Sequence, residues 1–317
     1  MATLLVGAVA SEQCLAQAEV KFPDRSIRFV VPFPPGGGND ILARAIAPRL
    51  ADAFGQSVVV DNRAGAGGNI GSEFVAKSAP DGYTILMASN QVTINPWLDN
   101  NVPFDIEKDF VAVAQVASVP MVLVVNPSVA ATDLKSFIAL VKADPSKFNH
   151  STPGTGTAQH IAFEVFNYSA GVKVTHVPYK GTGPAIADLI GGQVAMGFDN
   201  LPSSMANIKA GKVRALAVTT TTRWPGAPEI PTMIEAGVEG YDVSAWFGLL
   251  APAGTPQPLI DLLSKHLMAI LRTDAIKTQF LELGALPVGD TPAEFKRFIE
   301  IERDKWNKVA QANNIKL

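Results

Sequence analysis

The chain carries a single cysteine, Cys14, among its 317 residues. That excludes a disulfide framework and a cysteine-built metal site, and it suits an oxidising compartment. Charge is sparse as well. Only 17% of residues are charged, and the formal net charge of −3 has the wrong sign for nucleic-acid binding. No run of Lys or Arg forms a phosphate-binding patch, so no nucleic-acid partner is expected. The four histidines, His150, His160, His176 and His266, lack ligand spacing, and neither a metal nor another cofactor is expected. Long apolar runs are missing too. The best candidate, 111–125, is interrupted by Gln115, Ser118 and Pro120 and falls short of the roughly 20 residues a membrane helix needs.

Catalytic motifs are equally scarce. There is no G-x-S-x-G elbow, no P-loop lysine and no H-E-x-x-H helix. Gly65, Gly67 and Gly71 approach a dinucleotide fingerprint, but at the wrong spacing and after the second strand pattern rather than the first. An enzyme is not expected.

What the sequence does have is a hydrophobic content of 47% and a steady alternation of strand and helix patterns from Ile27 onward. That pattern predicts α/β layers with mostly parallel sheets. Residues 1–18 read as an export signal that lacks its usual basic start: 4–10 is apolar, and Ala16-Gln17-Ala18 has the small-x-small form of a cleavage site. Cys14 would leave with it. The mature protein is expected to be soluble.

The stretch Val-Val-Pro-Phe-Pro-Pro-Gly-Gly-Gly-Asn-Asp at 30–40 joins a buried strand pattern to a helix whose inner face is Ile41, Leu42, Ala45, Ile46 and Leu50. Asn39 or Asp40 would cap that helix. Pro48 falls inside it and should kink it or cost a hydrogen bond. A tight turn alone would use the same glycines. Bare N–H groups at a helix start also attract anions, since donors and the positive end of the helix dipole converge there. A second loop of this kind, Pro153-Gly154-Thr155-Gly156-Thr157, precedes the helix pattern 158–168. Ligands of open α/β sheets bind at the carboxyl ends of the strands. Two such sheets facing each other would aim two helix starts at one small anion.

The ordered motifs Val-Pro-Phe-Pro-Pro-Gly-Gly-Gly, Val-Asp-Asn-Arg-Ala-Gly-Ala-Gly-Gly-Asn-Ile-Gly, Pro-Asp-Gly-Tyr-Thr and Ile94-Asn95-Pro96 occur in the first half. Later come Val-Pro-Tyr-Lys-Gly, Gly-Gly-Gln-Val and Trp246-Phe247-Gly248-Leu249 with Pro-Ala-Gly-Thr-Pro. Together they resemble the extracytoplasmic solute receptors of tripartite tricarboxylate transporters, the Bug-type receptors. The likeness runs from about Pro23 to the C-terminus. It implies a two-domain periplasmic-binding-protein fold of type II-like form, with two mixed or parallel sheets flanked by helices and a ligand cleft between them. It also implies two crossings of the chain, near 121–127 and 240–244. Domain 1 is then expected at 19–122 with 243–317, and domain 2 at 123–242.

The resemblance further implies a monomeric periplasmic protein that binds a small organic acid by hinge closure and delivers it to membrane permease subunits. In that family the two loops hold a ligand carboxylate through backbone amides and water. Carried over, the first loop supplies Phe33, Pro34, Pro35, Gly36, Gly37, Gly38 and Asn39. The second supplies Ser151, Thr152, Gly154, Thr155, Gly156 and Thr157. Ser89, Asn90, Gln91, Thr93 and Asp199 lie at positions that commonly line the cleft, although relatives usually have a Thr-His pair where this chain has Val92-Thr93. Asp199 either caps the next helix or accepts a hydrogen bond from a ligand hydroxyl or amine. Trp246 and Phe247 pack a core or touch the cleft wall, and Tyr179 and Lys180 are within reach of it. No arginine stands in either glycine loop, so backbone donors must carry the anion. A dicarboxylate, a hydroxy-tricarboxylate, an aromatic acid or an amino acid all fit. A sensor that presents its closed form to a signalling partner would show the same residues.

Overall fold

The computed structural model describes residues 22–98 and 101–312. The export signal read at 1–18, with Cys14, lies outside the described residues. The first lobe opens with β1 (Ile27–Val31), α1 (Gly38–Phe54), β2 (Val58–Asn62), α2 (Asn69–Ala76), β3 (Thr84–Ser89) and α3 (Gln91–Leu98). A 16-residue strand, β4 (Phe110–Val125), carries the chain into the second lobe. There follow α4 (Leu134–Ala143), β5 (Asn149–Thr152), α5 (Ala158–Ala170), β6 (Thr175–Pro178) and α6 (Thr182–Ile190). The lobe ends with β7 (Met196–Asn200), α7 (Leu201–Lys209) and β8 (Arg214–Val218). The chain then returns through β9 (Ser244–Pro252) to α8 (Gln257–Leu271), α9 (Asp274–Leu283), β10 (Leu286–Pro287) and α10 (Pro292–Ala312).

The two lobes repeat one plan. In each, three strands run parallel (β2-β1-β3 in the first, β6-β5-β7 in the second) and antiparallel strands complete the sheet. Both sheets share β4, so the strand order β2-β1-β3-β9-β4-β7-β5-β6 is continuous. Helices cover the sheet faces, which is why β1 and β3 read as largely apolar runs and all five residues of β7 are buried.

The sequence pattern shows the strand only from Pro120; the structure begins it ten residues earlier, at Phe110. Gln115 and Ser118 hid it, and both have partners. Asp290 Oδ1 accepts the Gln115 N–H at 2.6 Å, and Ser118 lies between Trp246 and Leu286 in the sheet. Residues 110–120 of β4 pair with β9, and from Met121 the strand pairs with β7 and β8 instead. Pro120 therefore stands where the strand changes sheets, a place that tolerates its missing N–H.

Helix α1 starts at Gly38, earlier than the capping signal implies. Gly37 occupies the cap, with extended backbone and no side-chain cap bond, and neither Asn39 nor Asp40 does. Both are inside the first turn. Pro48 stands within α1, and the helix continues past it to Phe54. Helix α3 has no signature in the sequence, since Pro96 interrupts its pattern.

Candidate ligand cleft

The first-lobe loop is braced from behind. Asp40, buried one turn into α1, accepts the Gly36 N–H at 3.0 Å, the Arg44 Nε–H at 2.9 Å and an Asn62 Nδ2 hydrogen at 3.0 Å. Burial pushes the Asp40 carboxyl up, but Arg44, the Gly36 N–H and Asn62 outweigh it and hold the group below its ordinary value. Asn62 also donates to the Phe33 carbonyl, and Asn39 Nδ2 donates to the Met87 carbonyl, tying α1 to β3. The Asp40 charge is thus spent behind the loop, and the N–H groups of the first turn of α1 face forward.

The second-lobe loop is braced by histidine. Thr157 caps α5, its Oγ1 accepting the His160 N–H and donating to the Gly154 carbonyl at 2.7 Å. His160 Nδ1 accepts the Gly156 N–H at 3.3 Å, and Thr152 Oγ1 sits 2.6 Å from His176 Nε2. His160 and His176 stack at 4.2 Å, and His150 stacks on Phe163 at 3.9 Å. Among the described residues no group of three His, Cys, Asp or Glu could hold a metal ion. His160 and His176 brace the loop, whereas His150 accepts the Phe198 N–H at 3.0 Å and ties β5 to β7.

The two loops face one crevice. A Cβ on Gly181 would lie 2.6 Å from Pro34 Cγ, and one on Gly37 would lie 3.5 Å from Thr182 Oγ1, so the lobes touch across it. Between them lies an inner cavity of about 20 Å³. Its walls include the cap Gly37 with Gly38 and Asn39 of α1, Gln91 from α3, and the cap Thr157 with Ala158 and Gln159 of α5. Thr182 at the start of α6 and Asn200 just before α7 complete them, with Phe247 and Ala245 beneath. Helix starts from both lobes converge here, and not one wall residue is ionisable. Converging N–H groups and positive dipole ends favour a small anion. An outer chamber of about 730 Å³ adjoins it past Phe33, Pro34 and Pro153, lined by residues 64–69, Asn95, Gly154, Thr155 and 178–181. Lys180 is the only charged residue of that lining.

Of the residues singled out in the sequence, Phe33, Pro34, Gly37, Gly38, Asn39, Ser89, Asn90, Gln91 and Thr157 line the inner cavity. Gly154 and Thr155 line the outer chamber, again with Phe33 and Pro34. The others stand behind these walls. Pro35 and Gly36 are exposed at the turn, and the Gly36 and Gly156 N–H groups point back to Asp40 and His160. Thr93 bonds the Asn90 carbonyl, and Thr152 meets His176. Ser151 and Asp199 line a separate cavity of about 10 Å³. Asp199 accepts from the Asn200 N–H at 2.8 Å and the Ser204 hydroxyl at 2.9 Å, and burial pushes its carboxyl up to about 7 despite these donors. Trp246 packs edge-on against Phe295 and Phe298, whereas Phe247 reaches the cavity wall. Gln159, Thr182 and Asn200 are wall residues not singled out in the sequence: Gln159 lies just past the second glycine loop, Thr182 follows the Gly181 cap of α6, and Asn200 precedes α7 with no glycine beside it.

The architecture and its crevice define a two-lobed α/β solute-binding protein. Residues 42–315 match the TctC family, described as the tripartite tricarboxylate transporter family receptor. The chain belongs to that family of periplasmic receptors. It is 40% identical to Protein BugT of Bordetella pertussis over 298 residues, 93% of this chain and 91% of the relative. The structure of R. palustris Rpa4515 with adipate superposes with a TM-score of 0.91 at 38% identity, covering 93% of this chain and 99% of that one. MatC (Rpa3494) from Rhodopseudomonas palustris with bound malate gives 0.86 at 32% identity, covering 91% and 99%. Among the described residues no helix is long and apolar enough to cross a membrane.

Proposed function

We propose that this receptor captures a small carboxylic acid in the inner cavity, one carboxylate lying between the first turns of α1 and α5. The carrying observation is the convergence of helix starts from both lobes on a cavity without any ionisable side chain. The adipate- and malate-bound relatives support the carboxylate assignment. The ligand's far end extends into the outer chamber, where Phe33, Pro34, Pro153 and Pro178 offer apolar walls and Lys180 a cation.

The inner cavity has room for about one water, so an acid enters only when the lobes part. The moving bodies are 19–122 with 243–317, and 123–242, hinged where β4 changes sheets and where the chain returns to β9. Ligand contacts both bodies only when they are shut, so binding shifts the population to the closed form. The closed pair of lobes is what the permease subunits of a tripartite tricarboxylate transporter read. Each chain holds both walls of its site and acts as a monomer; light scattering behind size exclusion checks this.

A thermal-shift screen of dicarboxylates, hydroxy-tricarboxylates, aromatic acids and amino acids tests the reading. A true ligand at 100 times its dissociation constant adds about 2.7 kcal/mol of stability. No shift with any acid, or chemical turnover of one, sinks it.

A further inference from the structure

We infer that the inner cavity selects acids bearing a hydrogen-bond donor on the carbon next to the bound carboxylate, that is, 2-hydroxy or 2-amino acids. The inference rests on carboxylate capture in this cleft and assigns the selection to Gln91 and Asn200. Both side chains are more than nine-tenths buried, and both line the inner cavity. Each leaves one polar atom without a partner among the described residues: Gln91 Nε2, a donor, and Asn200 Oδ1, an acceptor.

The orientation of Gln91 is fixed by its neighbour. The Ser89 backbone N–H, which can only donate, lies 3.1 Å from Gln91 Oε1, and the Ser89 hydroxyl bonds the same oxygen. The amide nitrogen is therefore the end left for the cavity. Buried donors and acceptors left bare are costly, so each asks for a complementary atom on the ligand. A carboxylate oxygen answers Gln91 Nε2. It cannot answer Asn200 Oδ1, since two acceptors repel, so that atom asks for an O–H or N–H.

Position follows from packing. A Cβ on Gly38 would lie 2.9 Å from Asn200 Nδ2, so the Asn200 amide lies directly on the first turn of α1. The two amide atoms share one carbon, so a donor that reaches Asn200 Oδ1 while the carboxylate sits on that turn belongs beside the carboxylate and not at the ligand's far end, and the adjacent carbon is where the proposal puts it. The acid next to Asn200, Asp199, does not supply the contact: its oxygens accept from the Asn200 N–H and the Ser204 hydroxyl.

Calorimetric titration of the full mature protein with three matched pairs is the test: succinate and malate, glutarate and 2-hydroxyglutarate, phenylacetate and mandelate. In each pair that binds, the hydroxylated member should be at least about tenfold tighter, the scale set by leaving one buried acceptor bare. Asn200→Leu, which keeps the branched shape and removes the acceptor, should bring the two members within about twofold of each other. Asn200→Ala repeats that reading should the leucine disturb folding. Gln91→Glu keeps the oxygen that Ser89 needs and turns a second oxygen to the cavity, and should weaken both members of a pair. Equal affinities within the wild-type pairs, or a preference that survives Asn200→Leu and Asn200→Ala, overturns the inference while carboxylate capture stands. Absence of binding by every acid overturns carboxylate capture itself, and the inference with it.

Discussion

Gly67 of the first lobe and Thr155 of the second meet backbone to backbone, so that a Cβ on Gly67 would lie 2.7 Å from the Thr155 carbonyl oxygen. The contact spans the outer chamber that both residues line. Nothing flexible can yield there, because the opposing atom is main chain. Gly67 also has φ +62, where an L side chain is strained.

A side chain at Gly67 therefore keeps the lobes apart more than it unfolds either of them. Gly67→Val should cost about 1–2 kcal/mol of stability through its left-handed backbone. Its effect on ligand affinity should be far larger. Small-angle scattering should show a radius of gyration that contracts with a saturating acid in the wild type and stays put in the variant. A variant that contracts normally would show that the contact does not form on closure.

Met121, where β4 leaves β9 for β7 and β8, is tied to Thr219 just past the end of β8. Thr219 Oγ1 accepts the Met121 N–H at 2.9 Å and donates to the Met121 carbonyl at 3.1 Å. The Thr219 N–H reaches that carbonyl too, at 2.9 Å. Thr219→Val preserves the shape and strips the hydroxyl, leaving the Met121 N–H bare in a fully buried place. The expected loss is about 1–3 kcal/mol, read as a lower urea midpoint at unchanged slope. A variant as stable as the wild type would show that the hydroxyl is not needed at the crossing.

Most of this architecture was legible because both faces of each sheet are covered, so its central strands are written as apolar runs between turn signals. The features that the pattern hides have local causes. The first ten residues of β4 contain Gln115 and Ser118, whose partners Asp290 and Leu286 lie far along the chain and cannot be anticipated from spacing. Asn39 and Asp40 have side chains that suit a helix cap. In the fold those side chains are taken by Met87 and by Gly36, Arg44 and Asn62, and Gly37 caps with backbone alone. The two glycine loops were visible as loops. Gln159, Thr182 and Asn200 join the cavity only through the way the lobes meet, which no stretch of sequence records.

Asp40 carries an expectation of its own. It gathers the Gly36 N–H, Arg44 and Asn62 behind the glycine loop, so Asp40→Ala should loosen the loop while leaving the sheets intact. Amide exchange at residues 36–39 should accelerate, and affinity for any bound acid should fall, while stability drops by about 1–3 kcal/mol. Asp40→Asn, which can still accept from Gly36, should recover part of the loss. Unchanged exchange in the alanine variant would show that the loop holds itself.

Stability should pass through a maximum with pH, because the second lobe buries groups of opposite sense. Burial pulls His160 and His176 down to about 4, with His176 also acting on His160, and it drives His150 well below its ordinary value. As pH falls below 6.5, the unfolded chain takes up protons that these folded rings refuse. Their stabilisation is whole above 6.5 and drains away towards pH 4. Asp199 works the other way. Its folded carboxyl keeps its proton to about 7, whereas the unfolded one loses it near 3.8, so its stabilisation is whole at low pH and drains away as pH rises to 7. Between pH 4 and 6.5 the three histidines outnumber Asp199 and Glu164, whose carboxyl is also pushed up by burial, and unfolding free energy should climb with pH. Above 6.5 only Asp199 is left and the curve should turn gently down. Urea midpoints measured from pH 4.5 to 8 should trace this shape. His160→Gln should flatten the acid limb by roughly 1.4 kcal/mol per pH unit, and Asp199→Asn should abolish the downturn near 7. An acid limb unmoved by His160→Gln would mean that the ring is not held neutral beneath the second loop.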